Sequence, residues 1–351
     1  MAMQVGLVGL GNAGRDLHVP VIRAHPDLEL RAVCDIEEGR VNDVTASVPT
    51  TGYTAVEEML ERERFDAVHV ATPPHTHLDV VRETFKRGLP TLLEKPLATS
   101  VGDAEEMMRL SEEHDVLACV VHNQQFWEPV QRALRSVNSG RVGEVVSVTM
   151  LHGDQQNLAK SNRGEWVFDL PAGELGEGIP HQVYLPLAFA GSIEEIVSVS
   201  HYDSAAGSPY GYDGVTVEIV DDDLGIPINI KILKNTVSEN LLIVHCHDAE
   251  FRVDLNTRSL YTNRMKDVNV KTIGVSNLRL VYEFVKNGLI NFVTTGSRAI
   301  YRARDEGIDE YAVGHYELVD EFVTAVRTGG PTPVPLSKGR DTVAVMEALD
   351  S

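Results

Sequence analysis

Cysteine is scarce and scattered. Cys34, Cys119 and Cys246 are the only three, odd in number and without a Cys-x-x-Cys pair. That spacing builds neither a disulfide framework nor a zinc ribbon, so reduced thiols and a cytoplasmic setting are expected. Positive charge is also short: 31 Lys and Arg face 52 Asp and Glu, a net charge of −21. Such a chain repels phosphate backbones and anionic lipid, which argues against nucleic-acid and membrane partners. Long apolar runs are missing too. The stretches at 241–244 and 288–295 fall far below the ~20 residues that a spanning helix needs. The opening MAMQVGLVGLGNAG has no basic leader region, so no signal peptide is expected. What is present is an ordinary folded composition, 43% hydrophobic and 24% charged, over 351 residues. At ~100–200 residues per domain this predicts two domains.

The first third alternates between two patterns. Val-, Ala- and Leu-rich runs at 4–8, 28–34, 67–71, 91–93 and 117–121 look like strands buried on both faces. Helical stretches at 56–62, 77–87 and 101–114 lie between them, the last opened by Thr99 or Ser100 as a cap. This alternation predicts βαβ units and a doubly wound parallel sheet of Rossmann type over residues 1–122. From about Gly143 the pattern changes. Runs at 145–151, 215–220, 226–233, 241–246 and 251–255 have no helices between them, and 226–233 alternates with a two-residue period. The cluster Asp221-Asp222-Asp223-Leu224-Gly225 predicts a hairpin turn. The second domain, 123–351, is therefore expected to be α+β on an antiparallel sheet. Helical stretches follow at 276–304 and 316–327, and 338–349 is expected to pack back on the first domain.

Gly9-Leu10-Gly11-Asn12-Ala13-Gly14 follows the first predicted strand and opens a helix. In that context Gly9 allows a tight turn, Gly11 lets the backbone approach a pyrophosphate, and Gly14 permits close helix–strand packing. The phosphates would sit on amides at the helix start. Asp35 ends the second strand, where a carboxylate takes ribose hydroxyls and repels a 2′-phosphate. NAD is expected in preference to NADP. The segments Thr72-Pro73-Pro74-His75-Thr76-His77 and Glu94-Lys95-Pro96 follow later strands, at the carboxyl edge where doubly wound sheets bind ligands. Thr72, Pro73, Pro74, His77, Glu94 and Lys95 are accordingly expected to contact the cofactor. The prolines could equally end a strand, and Lys95 could be an exposed ion-pair lysine.

GLGNAG, Asp35, TPPHTH and EKP together resemble the glucose–fructose oxidoreductase, inositol dehydrogenase and rhizopine-catabolism (Gfo/Idh/MocA) family. The resemblance continues through Gly140-Arg141-Val142-Gly143-Glu144, Trp166 and a segment ending in His181. It implies a Rossmann domain followed by an α+β domain on an open antiparallel sheet, which commonly mediates homodimers or homotetramers. It also implies hydride transfer between a nicotinamide and a carbinol carbon of a sugar, cyclitol or related polyol. Lys95 takes the place of the lysine that approaches the reacting hydroxyl. The usual Asp-x-Gly-x-His motif reads Glu177-Gly178-Ile179-Pro180-His181 here. His181 is retained as the proton acceptor, Glu177 replaces the aspartate, and the glycine is displaced by one. Asn123-Gln124-Gln125-Phe126 lacks an arginine common before the Phe, which argues against an anionic substrate group there. Asn123, Gln125 and Trp166 are weaker substrate-pocket candidates.

Residue chemistry supports the same roles independently. Oxidising an alcohol needs a hydride acceptor and a base, and histidine titrates nearest neutrality. Glu177 and His181 are four apart and share a face if helical. Pro180 then confines them to a first helical turn. No third ligand stands near this pair, and His245 and His247 lack a partner cluster, so no metal site is expected. Two other readings stay open: a redox cycle on bound NAD that drives elimination or epimerisation, and a non-catalytic NAD-binding sensor or partner protein.

Overall fold

The structure, a computed structural model, describes residues 2–154, 175–202, 213–222, 225–234, 236–264, 274–275, 277–278, 281–283, 285–289 and 312–349. The chain divides into two units: Met1–Asn123 with Tyr301–Ala344, and Gln124–Ile300 with Val345–Ser351.

In the first unit six strands form one parallel sheet. They are β1 (Met3–Val8), β2 (Leu28–Cys34), β3 (Thr51–Tyr53), β4 (Ala67–Val70), β5 (Thr91–Leu93) and β6 (Ala118–Val120). Their spatial order is β3-β2-β1-β4-β5-β6, the doubly wound order with its switch point between β1 and β4. Central strands are apolar on both faces because helices cover both sides; β4 is buried throughout, and Val5 and Leu7 of β1 are fully buried. The crossover helices are α1 (Val19–Ala24), α2 (Glu38–Ser47), α3 (Val56–Arg62), α4 (His77–Phe85) and α5 (Val101–Glu113). Ser100 caps α5 as expected, its Oγ accepting the Asp103 N–H at 3.1 Å. Sequence periodicity does not reveal β3 or α2. β3 is three residues at the sheet edge, and α2 buries only Val41 and Val44, too few for a recognisable stripe.

The C-terminal part of this unit is helical. The helix Ala312–Thr328 buries Leu318, Val319, Phe322 and Val323. The strand-like segment after it runs beside β6, where Val120 N–H donates to the Val334 carbonyl at 3.0 Å and Thr332 Oγ1 donates to the Ala118 carbonyl at 2.9 Å. The helix Leu336–Ala348 follows, and the unit boundary falls within it, between Ala344 and Val345.

The second unit holds a seven-stranded sheet: β7 (Val145–Gly153), β8 (Ile193–Tyr202), β9 (Gly214–Asp221), β10 (Pro227–Leu233), β11 (Glu239–Cys246), β12 (Glu250–Asp254) and β13 (Ser259–Asn263). The order is β13-β12-β11-β7-β10-β9-β8. Pairing is antiparallel except between β7 and β10, which run parallel. One face carries Val148, Met150, Val217, Ile219, Ile228, Ile230, Ile232, Leu242 and Val244, all nearly fully buried. They pack with α6 (Glu128–Asn138) and α7 (Leu175–Leu187) through Val130, Ala133, Ile179, Val183 and Leu187. Each such side chain contributes about 1.5–3 kcal/mol of burial. β8 and β13 escape sequence reading because both are edge strands, and β8 is largely exposed, so neither shows a clean alternation.

α7 corrects one expectation. Pro180 is its sixth residue and Pro186 lies near its end, so Pro180 is not in a first turn. A proline there removes one helical hydrogen bond, and the helix tolerates it because packing of Ile179, Val183 and Tyr184 holds the backbone. Most of 276–304 lies outside the described residues, although 277–278, 281–283 and 285–289 are helical.

The expected hairpin joins β9 to β10, with Val220 opposite Pro227. Asp221 closes it. This carboxylate is fully buried, accepting the Ile226 N–H at 2.7 Å and the Gly191 N–H at 3.0 Å. Asp221→Ala leaves two amides unsatisfied and is expected to cost about 3 kcal/mol. A urea transition of unchanged midpoint would contradict this.

Candidate functional site: the carboxyl edge of the parallel sheet

The glycine turn is sterically compelled. Gly9 has φ +94°, and a Cβ there would sit 2.6 Å from the Ala71 carbonyl carbon. A Cβ on Gly14 would sit 2.0 Å from the Gly9 carbonyl oxygen. A Cβ on Gly11 would meet nothing within 4 Å, so this face is open to an approaching group. The chain is helical over 12–24, with a π turn at Gly14–His18 and Asn12 exposed at its start beside half-buried Ala13. An open glycine backbone at a helix start fits a pyrophosphate.

Asp35 lies just past the end of β2 and is 7% exposed. Its Oδ2 accepts the Leu10 N–H at 2.7 Å and its Oδ1 the Glu37 N–H at 2.9 Å. It thereby ties the glycine turn to the loop after β2. Arg40 folds back over this loop: Nη1 is 3.5 Å from Asp35 Oδ2 and Nη2 is 2.7 Å from Glu37 Oε1.

Thr72, Pro73 and Pro74 follow β4, where Thr76 Oγ1 donates to Thr72 Oγ1 at 2.8 Å or to the Pro73 carbonyl at 2.7 Å. His77 is fully buried, with Nδ1 2.9 Å from the Leu97 carbonyl and Nε2 2.9 Å from the Thr72 carbonyl. Both ring nitrogens are committed to main chain, so His77 braces the loop after β4 against the loop after β5. The edge therefore gathers Gly9, Asp35, Thr72, Glu94, Lys95 and His122 from the ends of β1, β2, β4, β5 and β6.

Glu94 is 7% exposed, and Lys95 beside it is half-buried. Glu94 Oε2 accepts the Lys95 N–H at 3.1 Å, and Oε1 lies 3.1 Å from His18 Nε2. Burial alone would push this carboxyl up. The hydrogen bond and charge of His18, with the charges of His315 and Lys95, outweigh it and pull the group down to about 2. His69 Nδ1 is 3.0 Å from His18 Nδ1, and the His315 ring meets the His18 ring edge-on at 4.4 Å between centroids. Sequence reading misses His18, His69, His122 and His315. The buried strand expected at 67–71 marks His69 as interior, but nothing in the local pattern brings the four together.

In the second unit, His181 and Glu177 both fall on α7, four residues apart. The Glu177 side chain and Trp166 lie outside the described residues. His181 Nδ1 is 2.6 Å from Tyr184 Oη, which also accepts the Gln124 N–H at 3.2 Å. Gln125 Nε2 donates to the Tyr184 carbonyl at 3.1 Å. Asn123 opens the 3-10 turn Asn123–Phe126. Tyr184, unforeseen from sequence, is the described partner of His181; the signal available was its i+3 spacing.

The fold of the first unit, with this edge, is of Rossmann type. Residues 3–122 match the family described as "Oxidoreductase family, NAD-binding Rossmann fold" (GFO_IDH_MocA). The rhizopine catabolism protein MocA of Rhizobium meliloti is 29% identical over 161 residues, 46% of this chain and 50% of that protein. A 2,7-anhydro-N-acetylneuraminate hydratase of Mediterraneibacter gnavus is 30% identical over 140 residues, 40% of this chain and 37% of that one. The chain thus spans half or less of the length of these relatives. The WlbA dehydrogenase of Bordetella pertussis, solved with NADH and UDP-GlcNAcA, shares the fold at TM-score 0.72 and 18% identity, covering 99% of this chain and 95% of that one. Among the described residues no helix is long and apolar enough to cross a membrane.

The histidines predict acid sensitivity. Burial pushes His315 and His122 from an ordinary value of 6.5 down to about 3, and His69 well below its ordinary range. Between pH 6.5 and 3 the unfolded chain binds protons that the folded chain refuses, so stability is lost as pH falls. Glu94, whose ordinary value is 4.5, acts in the same direction from there down to about 2. Melting temperature is expected to fall steadily from pH 7 to 4; a flat profile would show that these groups do not govern acid unfolding.

Proposed function

We propose that this chain is an NAD-dependent oxidoreductase acting on a carbinol carbon of a sugar, cyclitol or related polyol. The open backbone at Gly11, with Asp35 at the end of β2, is the observation that carries the reading. The family match over residues 3–122 supports it. When bound, the nicotinamide supplies the hydride acceptor. Amides at the start of the helix would hold the pyrophosphate, and Asp35 the adenine ribose. NAD is preferred because Asp35 and Glu37 repel a 2′-phosphate. Arg40 does not reverse this, since both carboxylates already hold it.

Lys95 polarises the substrate oxygen. His181 takes the hydroxyl proton, with Glu177 as the orienting carboxylate that the resemblance implies. Tyr184 adds a second constraint on the ring. If His181 Nδ1–H donates to Tyr184 Oη, Nε2 is the basic atom. Homodimer or homotetramer formation through the seven-stranded sheet, and a cytoplasmic setting, belong to the same reading. The likeness to a hydratase favours one alternative, a redox cycle on retained NAD that ends in elimination.

A screen of polyols, sugars and sugar nucleotides that follows reduced-nicotinamide absorbance tests the activity. Turnover without added dinucleotide by enzyme that copurifies with it would select the alternative. Calorimetry is expected to show tighter binding of NAD than of NADP, and Asp35→Ser to narrow or reverse the preference. Tenfold tighter NADP binding would refute the cofactor assignment. Lys95→Met is expected to keep the fold and cut kcat by at least ~10²-fold. Near-normal turnover would remove Lys95 from the chemistry.

A further inference from the structure

Four buried polar side chains from separate elements converge inside the first unit, and the dinucleotide reading gives a role to only one of them, Glu94. They are His18 from the π turn, His69 from β4, Glu94 after β5 and His315 from the helix Ala312–Thr328. One ligand atom from each of His18, Glu94 and His315 lies within 4.8 Å of the other two. His18 and His315 are fully buried, and Glu94 nearly so. Among the described residues, both ring nitrogens of His315 are enclosed without a hydrogen-bond partner, and so is His69 Nε2. An unsatisfied buried polar atom costs about 1–3 kcal/mol, so His315 calls for an occupant.

We propose that His18, Glu94 and His315 form a binding site for a divalent transition-metal ion of the zinc type. Two imidazoles and one carboxylate suit zinc or cobalt, whereas magnesium and calcium take all-oxygen sets. The contacts already present suggest how the ligand atoms would be used. Glu94 Oε2 is committed to the Lys95 N–H, which leaves Oε1 for the metal. His18 offers Nε2, now 3.1 Å from that oxygen. Its Nδ1–H then donates to His69 Nδ1 at 3.0 Å, the outer hydrogen bond that orients a metal-bound histidine. The entering ion replaces the proton shared by His18 Nε2 and Glu94 Oε1, and that proton leaves to solvent. His315 supplies a lone pair from one ring nitrogen. Tetrahedral zinc ligands lie ~3.3 Å apart; His18 Nε2 and Glu94 Oε1 already stand at that spacing, so the closing movement, up to about 1.5 Å, falls to the His315 ring. Water takes the fourth position, and its ionisation offsets the residual positive charge.

The test uses the full chain, stripped with a chelator and titrated with Co2+ and then Zn2+. One equivalent of Co2+ is expected to produce visible d–d bands of four-coordinate character, which Zn2+ abolishes. His315→Ala is expected to weaken binding by at least ~10²-fold and His69→Phe by ~10-fold, while His247→Ala on the second unit leaves it unchanged. Anomalous diffraction from zinc-soaked wild-type crystals gives a readout that does not depend on a variant folding. A peak between His18, Glu94 and His315 supports the site. A water molecule there at saturating zinc, a peak only at surface histidines, or Co2+ bands that persist in His315→Ala overturns it. None of these outcomes depends on dinucleotide binding.

Discussion

A carboxylate held nearly out of water sets the arrangement of the first unit. Glu94 is 7% exposed, and a buried charge persists only where opposite charge or hydrogen-bond donors surround it. The donors come from His18 on the π turn and from the Lys95 amide. His18 in turn requires His69 on β4, and His315 closes over it from a helix almost 300 residues along the chain. The interior of this unit therefore depends on its C-terminal helix as well as on its sheet. The loop that presents Lys95 is anchored from beneath by the same carboxylate. Chemistry at Lys95 and polar packing below it are coupled through one side chain.

The glycine turn imposes a second constraint, a steric one. Gly9 and Gly14 have no room for a Cβ, while Gly11 has ample room. Backbone crowds backbone where β1 meets the helix, and the opening is reserved for the outer face. Asp35 converts this local geometry into a longer-range one by holding the Leu10 and Glu37 amides together. His77 does the same between the loops after β4 and β5. Successive strand ends are thus cross-linked by side chains whose polar atoms point into the protein. A ligand at this edge meets a surface whose shape was fixed before it arrived.

In the second unit the comparable device is Tyr184. Its hydroxyl meets His181 and the Gln124 amide, and its carbonyl meets Gln125. A single aromatic residue on α7 joins the retained histidine to the segment that departs from the family pattern. Gln125 does more there than lack a charge, because its amide holds this helix.

Much of the architecture was legible in the amino-acid sequence because burial repeats with the period of the backbone. Strands buried on both faces read as unbroken apolar runs, and the glycine spacing with Asp35 marked the turn at the carboxyl edge of the sheet. Residues 226–233 announced a half-solvated strand by alternation. Edge elements such as β3, β8 and β13 stayed hidden, because they are too short or too exposed on both faces to show a period. Pro180 inside α7 contradicted a local helix rule that tertiary packing overrode. The cluster of His18, His69, Glu94 and His315 was beyond sequence reading for a different reason. Its members are separated by up to 297 positions, and no local spacing records which side chains a parallel sheet and a returning helix will enclose. Local pattern determined the elements and the glycine turn at the sheet edge; only the folded chain decided which polar groups would share one dry interior.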